Sequence, residues 1–181
     1  MQPSLDRWLD RPVVCTHHAR TATATPDALW EAAQTVRLAD TRLLGRVVRW
    51  RLPGTPRDAT FAEVFRRYPF TVLDEGDHHL LCGLVGRIWT LARDYPRLSN
   101  PDDFAAWNKP GTVRVLFAHW VEDAGDGRTR LLSEARVQPV DHRATRRLHA
   151  VWALVGGFER LIGAEPLPVA VRRAEAHETC G

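Results

Sequence analysis

The stretch Val113 to Val137, VRVLFAHWVEDAGDGRTRLLSEARV, constrains the fold of this chain most. It reads as two strands joined by a tight turn. Strand side chains alternate between faces. One set is Val113, Val115, Phe117, His119 and Val121, continued on the return strand by Leu131, Ser133, Ala135 and Val137. It is apolar and small, and is expected to look inward. The other set, Arg114, Leu116, Ala118, Trp120 and Glu122 with Arg130, Leu132, Glu134 and Arg136, carries the charges. It is expected to form an outer, solvated face on which Glu134 pairs with a neighbouring arginine. His119 therefore points inward among apolar neighbours.

The flanking sequence supplies the other elements. PVVCTHHARTATA, residues 12–24, is β-branched and small and reads as a first strand. Thr25 is a natural N-cap, with Pro26 at the first helical position and Asp27 favouring the positive helix end. ADTRLLGRVVRW is a second amphipathic piece. Leu44, Val47 and Val48 form its apolar stripe, and Arg42, Arg46 and Arg49 fall on the other side. Thr60 and Glu63 make a capping box for a short helix carrying Phe61, Val64, Phe65 and Tyr68 at helical spacing. FTVLDE and HHLLCGLVGRIWTL then read as strands, and a short helical turn opens at Asn100-Pro101. Asp141 caps the longest element, in which Leu148, Val151, Trp152, Val155, Phe158 and Ile162 line one face of a single helix over 142–162. Pro166 and Pro168 bend or interrupt it before VAVRRAEAH.

This order is one strand, short helices, a run of antiparallel strands and a long C-terminal helix. Together with LLCGLVGRIW, GDGRTRLLSEARV and the terminal amphipathic helix, it resembles the START/Bet v 1-like superfamily (the SRPBCC, polyketide cyclase and lipid-transfer group), and in particular that group's functionally unassigned bacterial members. The resemblance spans roughly residues 12–175 and rests on element order, not on a catalytic motif. It implies an α+β helix-grip fold: a curved antiparallel β-sheet wrapped around a long C-terminal α-helix, with short helices after the first strand and a hydrophobic cavity between them. The chain divides accordingly into an N-terminal extension, 1–11, a single domain, 12–175, and a C-terminal tail, 176–181.

Several function classes are disfavoured. At 181 residues the chain is one domain by length. No apolar run reaches spanning length, and MQPSLDRWLDRPVV lacks the apolar core of a secretory signal, so a cytoplasmic protein without a transmembrane segment is expected. Cys15, Cys82 and Cys180 are an odd number without a CxxC pair, which argues against a disulfide framework or zinc knuckle. The pI is about 9.1, yet the net charge is only +3 and the arginines are interleaved with acids, which argues against nucleic acid as a partner. Monomer or weak homodimer is the expected state.

The candidate site follows from the alternation and from the resemblance. Phe117, His119, Trp152, Val155 and Phe158 are expected to wall the cavity. Arg87 and Trp89 share one face of a strand, inward or outward. His119 has three readings: a core histidine bonded to a backbone carbonyl or to Ser133, a ligand contact, or a general acid or base. The third needs an orienting acid, and the hairpin offers no inward carboxylate. His17-His18 and His78-His79 are adjacent on strands and diverge; His142 and His149 lie two helical turns apart, so no metal ligand set is assigned. Cys15 and Cys82 read as buried thiols. Gly83 to Gly86 sits in a strand, lacks a phosphate-loop lysine, and reads as a bulge or a point of sheet curvature. The resulting expectation is binding of a lipid-like or polyketide-like hydrophobic or amphipathic small molecule, with no catalytic residue and no cofactor assigned. An aromatase/cyclase-like or dehydratase-like enzyme on the same fold, with His119 or Arg87 polarising a carbonyl, is the alternative.

Overall fold

A computed structural model describes residues 3–90, 95–155 and 164–178, with side chains in the long helix up to residue 152. The elements in chain order are β1 (Val14–Ala22), α1 (Pro26–Gln34), a single 3-10 turn (Leu38–Asp40), α2 (Leu44–Arg51), α3 (Phe61–Phe65), β2 (Thr71–Gly76) and β3 (His79–Gly86). Then come α4 (Pro101–Ala105), β4 (Val113–Gly125), β5 (Arg128–Pro139), α5 (His142–Val155) and α6 (Pro166–Glu178). The five strands form one curved antiparallel sheet in the order β1-β5-β4-β3-β2. This is the helix-grip arrangement, with the C-terminal helices against the sheet.

Local sequence sets the element ends. Thr25 Oγ1 accepts from the Ala28 amide at the start of α1. Thr60 and Glu63 cap α3 reciprocally, Asn100 caps α4, and Asp141 Oδ1 accepts from the Ala144 amide at the start of α5. Asp141 Oδ2 also takes the Gly111 amide, tying the entry of β4 to the helix that follows β5. The turn between β4 and β5 runs through Gly125, Asp126 and Gly127, all at positive φ, which glycine adopts freely and aspartate tolerates. Pro166 opens α6, so the helix pattern restarts there. The expected single helix over 142–162 is described as far as Val155; Gly156, Gly157, Phe158 and Ile162 lie outside the described residues.

The hairpin alternation holds on the inner face and fails on the outer one. Val113, Val115, Val121, Leu131, Ser133 and Val137 are buried on the concave side. The set expected to be solvated is buried as well: Leu116, Ala118, Trp120 and Leu132 pack with Leu73, Leu81, Val85 and Phe104. Leu5, Trp8 and Leu9 from the N-terminal residues complete that layer. Arg136 holds them in place. Its guanidinium donates to Glu134, to Asp6 and, over 3.0 Å, to the Leu9 carbonyl. Glu134 is thus paired as expected but is itself buried. The parity rule assigned faces correctly; it had no way to show that a second layer covers the convex side.

Gly83 has a related cause. A Cβ there would come within 2.6 Å of the Phe104 ring, so the glycine lets α4 lie on the sheet. The β3–β4 register is continuous through it, and the sheet's irregularities fall at Val72/Asp74 and Asp123/Gly125 instead. The Gly83 region is therefore a close approach, not a bulge.

If the first residues are part of the folded core, Leu9→Ala should destabilise the protein by about 2–5 kcal/mol, since the side chain is fully buried. Chemical denaturation measures this; a midpoint unchanged from wild type would mean that the N-terminal segment is detachable.

Candidate functional site: an aromatic cavity under the helices

A cavity of about 600 Å³ lies between the concave face of the sheet and the helices. Its floor is the inner parity set: Val115, Phe117 and His119 from β4, and Leu131, Ala135 and Val137 from β5, with Leu80 and Leu84 from β3. The apolar stripe of α2, Leu44, Val47 and Val48, forms one wall, and Phe61 and Phe65 of α3 another. Val151 and Trp152 of α5 and Leu167 and Ala170 of α6 close the far side. Small Ala135 and Ala170 leave the space that larger side chains would fill.

The lining is aromatic. Phe65 sits 5.1 Å from Phe70, 5.4 Å from Phe117 and 4.9 Å from the His119 ring, centroid to centroid, and Phe70 meets Phe117 edge-on at 5.7 Å. Trp30, Trp50, Trp89 and Trp152 also face the space. Among the described lining residues no side chain is a carboxylate. Arg51 is the charged residue there, and its guanidinium donates to the Ile88 carbonyl over 3.2 Å and lies over the Tyr95 ring.

His119 points into this space, as the alternation requires. Burial pushes its pKa down from 6.5 to about 4, so the ring is neutral at pH 7. The expected bond to a backbone or hydroxyl group is not made at Nε2, which is buried with no hydrogen-bond partner among the described residues. Its cross-strand neighbour is Ser133, whose own neighbour on β1 is His18, and His18 Nε2 is likewise buried without a partner. Trp89 Nε1 is a third such atom and belongs to the cavity lining. Buried polar atoms normally find partners, and each one left without costs about 1–3 kcal/mol. His119 Nε2 and Trp89 Nε1 are thus polar atoms buried in the wall of an apolar cavity.

Of the other predicted residues, Phe117, Trp89 and Trp152 line the cavity with His119. Val155 falls in α5, but its side chain, like all of Phe158, lies outside the described residues. Arg87 and Trp89 are not on a strand face. β3 ends at Gly86, and residues 87–90 form a turn in which the Thr90 amide and hydroxyl both bond the Arg87 carbonyl. The turn carries Trp89 to the cavity and leaves Arg87 out of its lining. A strand period cannot predict this, because Gly86, at φ 136°, breaks the strand first.

The sequence reading missed Phe70, Trp30 and Trp50 as wall residues. It placed Phe61 and Phe65 on one helical stripe without showing what the stripe faces. It also missed the anchor of α2. That helix has no side-chain N-cap of its own. The Glu165 carboxylate, just ahead of α6, accepts from the Leu43 amide at 3.0 and 3.1 Å and from the Leu44 amide at 2.8 Å. A carboxylate at a helix N-terminus satisfies free amides and favours the helix dipole, so the C-terminal segment holds one cavity wall in place.

Among the described residues the remaining histidines and cysteines do not line the cavity. His17 faces outward, 3.6 Å from Glu134, and His78 lies in the β2–β3 turn, not on a strand, 2.7 Å from Asp27. Cys82 is buried, and burial raises its pKa well above the usual thiol value. Cys15 is exposed, against expectation, because its odd position in β1 points to the edge of the convex face; burial and Glu134 raise its pKa. Among the described residues no group of three or more histidine, cysteine or acidic side chains gathers as a metal site. No described helix is long and apolar enough to cross a membrane.

No protein-family model matches the chain, and no curated protein matches it. Solved structures do. A hypothetical protein, jhp0584, from Helicobacter pylori covers 95% of each chain at 10% identity, with a TM-score of 0.41. The Zhui aromatase/cyclase from Streptomyces sp. R1128 covers 88% of this chain and 94% of its own at 15% identity, with a TM-score of 0.35. TTHA0849 from Thermus thermophilus covers 91% and 99% at 8% identity, with a TM-score of 0.32.

Two outcomes test the geometry. The unfolded state binds a proton at His119 between pH 6.5 and 4 that the folded state does not. Stability is therefore complete above about pH 6.5 and falls as the pH drops toward 4. The loss is at most about 3 kcal/mol, because the residue is only half-buried and solvent screens part of the shift. His119→Phe should flatten that limb of the stability–pH curve; an unchanged slope would place the titration elsewhere. Separately, Glu165→Ala should weaken the α2 cap by about 0.5–2 kcal/mol and speed amide exchange across residues 43–48, with Glu165→Gln restoring part of the protection. Exchange unaltered by both variants would show that the cap does not hold the wall.

Proposed function

We propose that this protein is a START/Bet v 1-like domain that binds a hydrophobic or amphipathic small molecule in the cavity between sheet and helices. The observation that carries the reading is the pairing of an aromatic-walled, about 600 Å³ space with two buried polar atoms, His119 Nε2 and Trp89 Nε1, that have no partner among the described residues. Ligand sites are typically apolar enclosures of a few hundred cubic ångströms with a small number of placed polar groups. A ligand of this class buries its apolar body against Phe65, Phe70, Phe117 and Trp152. It presents an acceptor to the Trp89 indole N–H, and a donor or acceptor to the neutral imidazole. Phe117, His119, Trp152 and Trp89 are the proposed contacts, and Val155 and Phe158 extend the proposed wall. Arg87 is left out.

Binding is preferred to catalysis for a chemical reason. A general acid–base histidine works near its own pKa and is oriented by an acid. His119 is held neutral by burial, and among the described lining residues no carboxylate reaches it.

The test is titration with a neutral apolar fluorophore, N-phenyl-1-naphthylamine. Wild type should bind it with enhanced emission. Ala135→Trp, which fills the floor, should abolish the signal while leaving the circular dichroism spectrum unchanged. Native mass spectrometry of freshly purified protein should show a co-purified small molecule. His119→Phe should weaken that molecule's binding by about 0.5–1.5 kcal/mol, one hydrogen bond. Probe binding unaltered by Ala135→Trp would locate the apolar site elsewhere and end this reading.

A further inference from the structure

The arginine row of α2 is not used by the cavity. Arg42, Arg46 and Arg49 are all exposed, and none forms an ion pair among the described residues. Beside them stand two large apolar side chains at the surface: Trp50 is 64% exposed and Leu43 45%. Arg46, Arg49 and Trp50 fall at i, i+3 and i+4, so they share one side of the helix, with Arg42 and Leu43 leading into it. The opposite side, Leu44, Val47 and Val48, lines the cavity, and Trp50 reaches its rim.

We propose that this face of α2 docks the protein on an anionic lipid bilayer. Three exposed guanidinium groups without acidic partners among the described residues favour a negatively charged surface. An acidic protein would satisfy that charge equally well. The adjacent tryptophan and leucine favour the bilayer, because exposed apolar side chains beside basic groups can enter the headgroup region while the guanidinium groups stay at its surface. Tryptophan suits that depth: its ring is amphipathic, with an apolar body and an N–H that stays hydrated. Docking in this orientation also puts the cavity rim at the membrane surface. The inference goes beyond the binding reading and stands without it, since Arg46 and Arg49 lie on the side of α2 away from the cavity and only Trp50 borders both.

Co-sedimentation of the full chain with vesicles tests it, using phosphatidylcholine alone and an equal mixture of phosphatidylcholine and phosphatidylglycerol. Wild type should bind the mixed vesicles, bind the neutral ones much more weakly, and release from the mixed ones as salt rises. Each single change among Arg42→Gln, Arg46→Gln and Arg49→Gln should cost about fivefold in partitioning, and the three together about a hundredfold. Because these side chains are exposed and, among the described residues, unpaired with acids, the variants should melt as wild type does, and the single changes keep the test open if the triple variant does not fold. Trp50→Phe should remove a component of tryptophan emission that shifts to shorter wavelength on the mixed vesicles. Equal binding to both vesicle types, or binding unchanged by every arginine variant, would overturn the proposal. So would salt-sensitive retention on immobilised polyglutamate without vesicle binding, which would point to an acidic protein instead.

Discussion

The pairing of β4 with β5 is the constraint on which the rest of the structure depends. The two strands run in register from Val113–Pro139 to Asp123–Thr129, and each has a further strand at its outer edge. Central strands of this kind satisfy their backbone groups on both sides, so the ribbon is free to be buried on both faces as well. It is: Val115, Val121 and Leu131 face the cavity and the helices, while Leu116, Trp120 and Leu132 face the N-terminal residues and α4. Three layers result, with the hairpin as the middle one.

The inner layer remains partly hollow because the helices are held by their ends as well as by packing. Asp141 fixes the start of α5, and Glu165 caps α2 from the other end of the described C-terminal region. Between those anchors, α6 packs on α1 and β1 through Leu167, Ala170 and Ala174 against Leu29, Ala32 and Val36. That packing makes a conventional core at one end of the concave face. At the other, the rings of Phe65, Phe70 and Phe117 pack on one another and, with Trp152, border open space. Protein interiors are otherwise close-packed, so an apolar space of this size sets that end of the concave face apart from the core at the other.

The outer layer shows a different use of polarity. Glu134 lies in a buried row, yet it is tolerated because Arg136 sits beside it and also reaches Asp6 and the Leu9 carbonyl. A buried charge is acceptable when paired and hydrogen-bonded. The same contacts fix the N-terminal residues over Trp120, so one ion pair joins chain segments more than a hundred residues apart in sequence.

How much of this the sequence determined by itself follows from the range of the interactions involved. The caps at Thr25, Thr60, Asn100 and Asp141, the hairpin turn at Gly125–Gly127, the stripe of α2 and the inward parity of His119 are local. They depend on residues within a few positions of one another, and periodicity reads them directly. The convex layer was illegible, because alternation reports which residues share a face and not what covers it; Arg114, Glu122 and Arg130 made a half-buried face look solvated. Arg87 and Trp89 were misplaced because the strand ends at Gly86, before either of them. The polar atoms in the cavity wall, the Glu165 cap on α2 and the meeting of Phe65 with His119 were decided only by the tertiary structure. Each joins residues from separate elements, and its energy depends on distances that close only when the chain has folded.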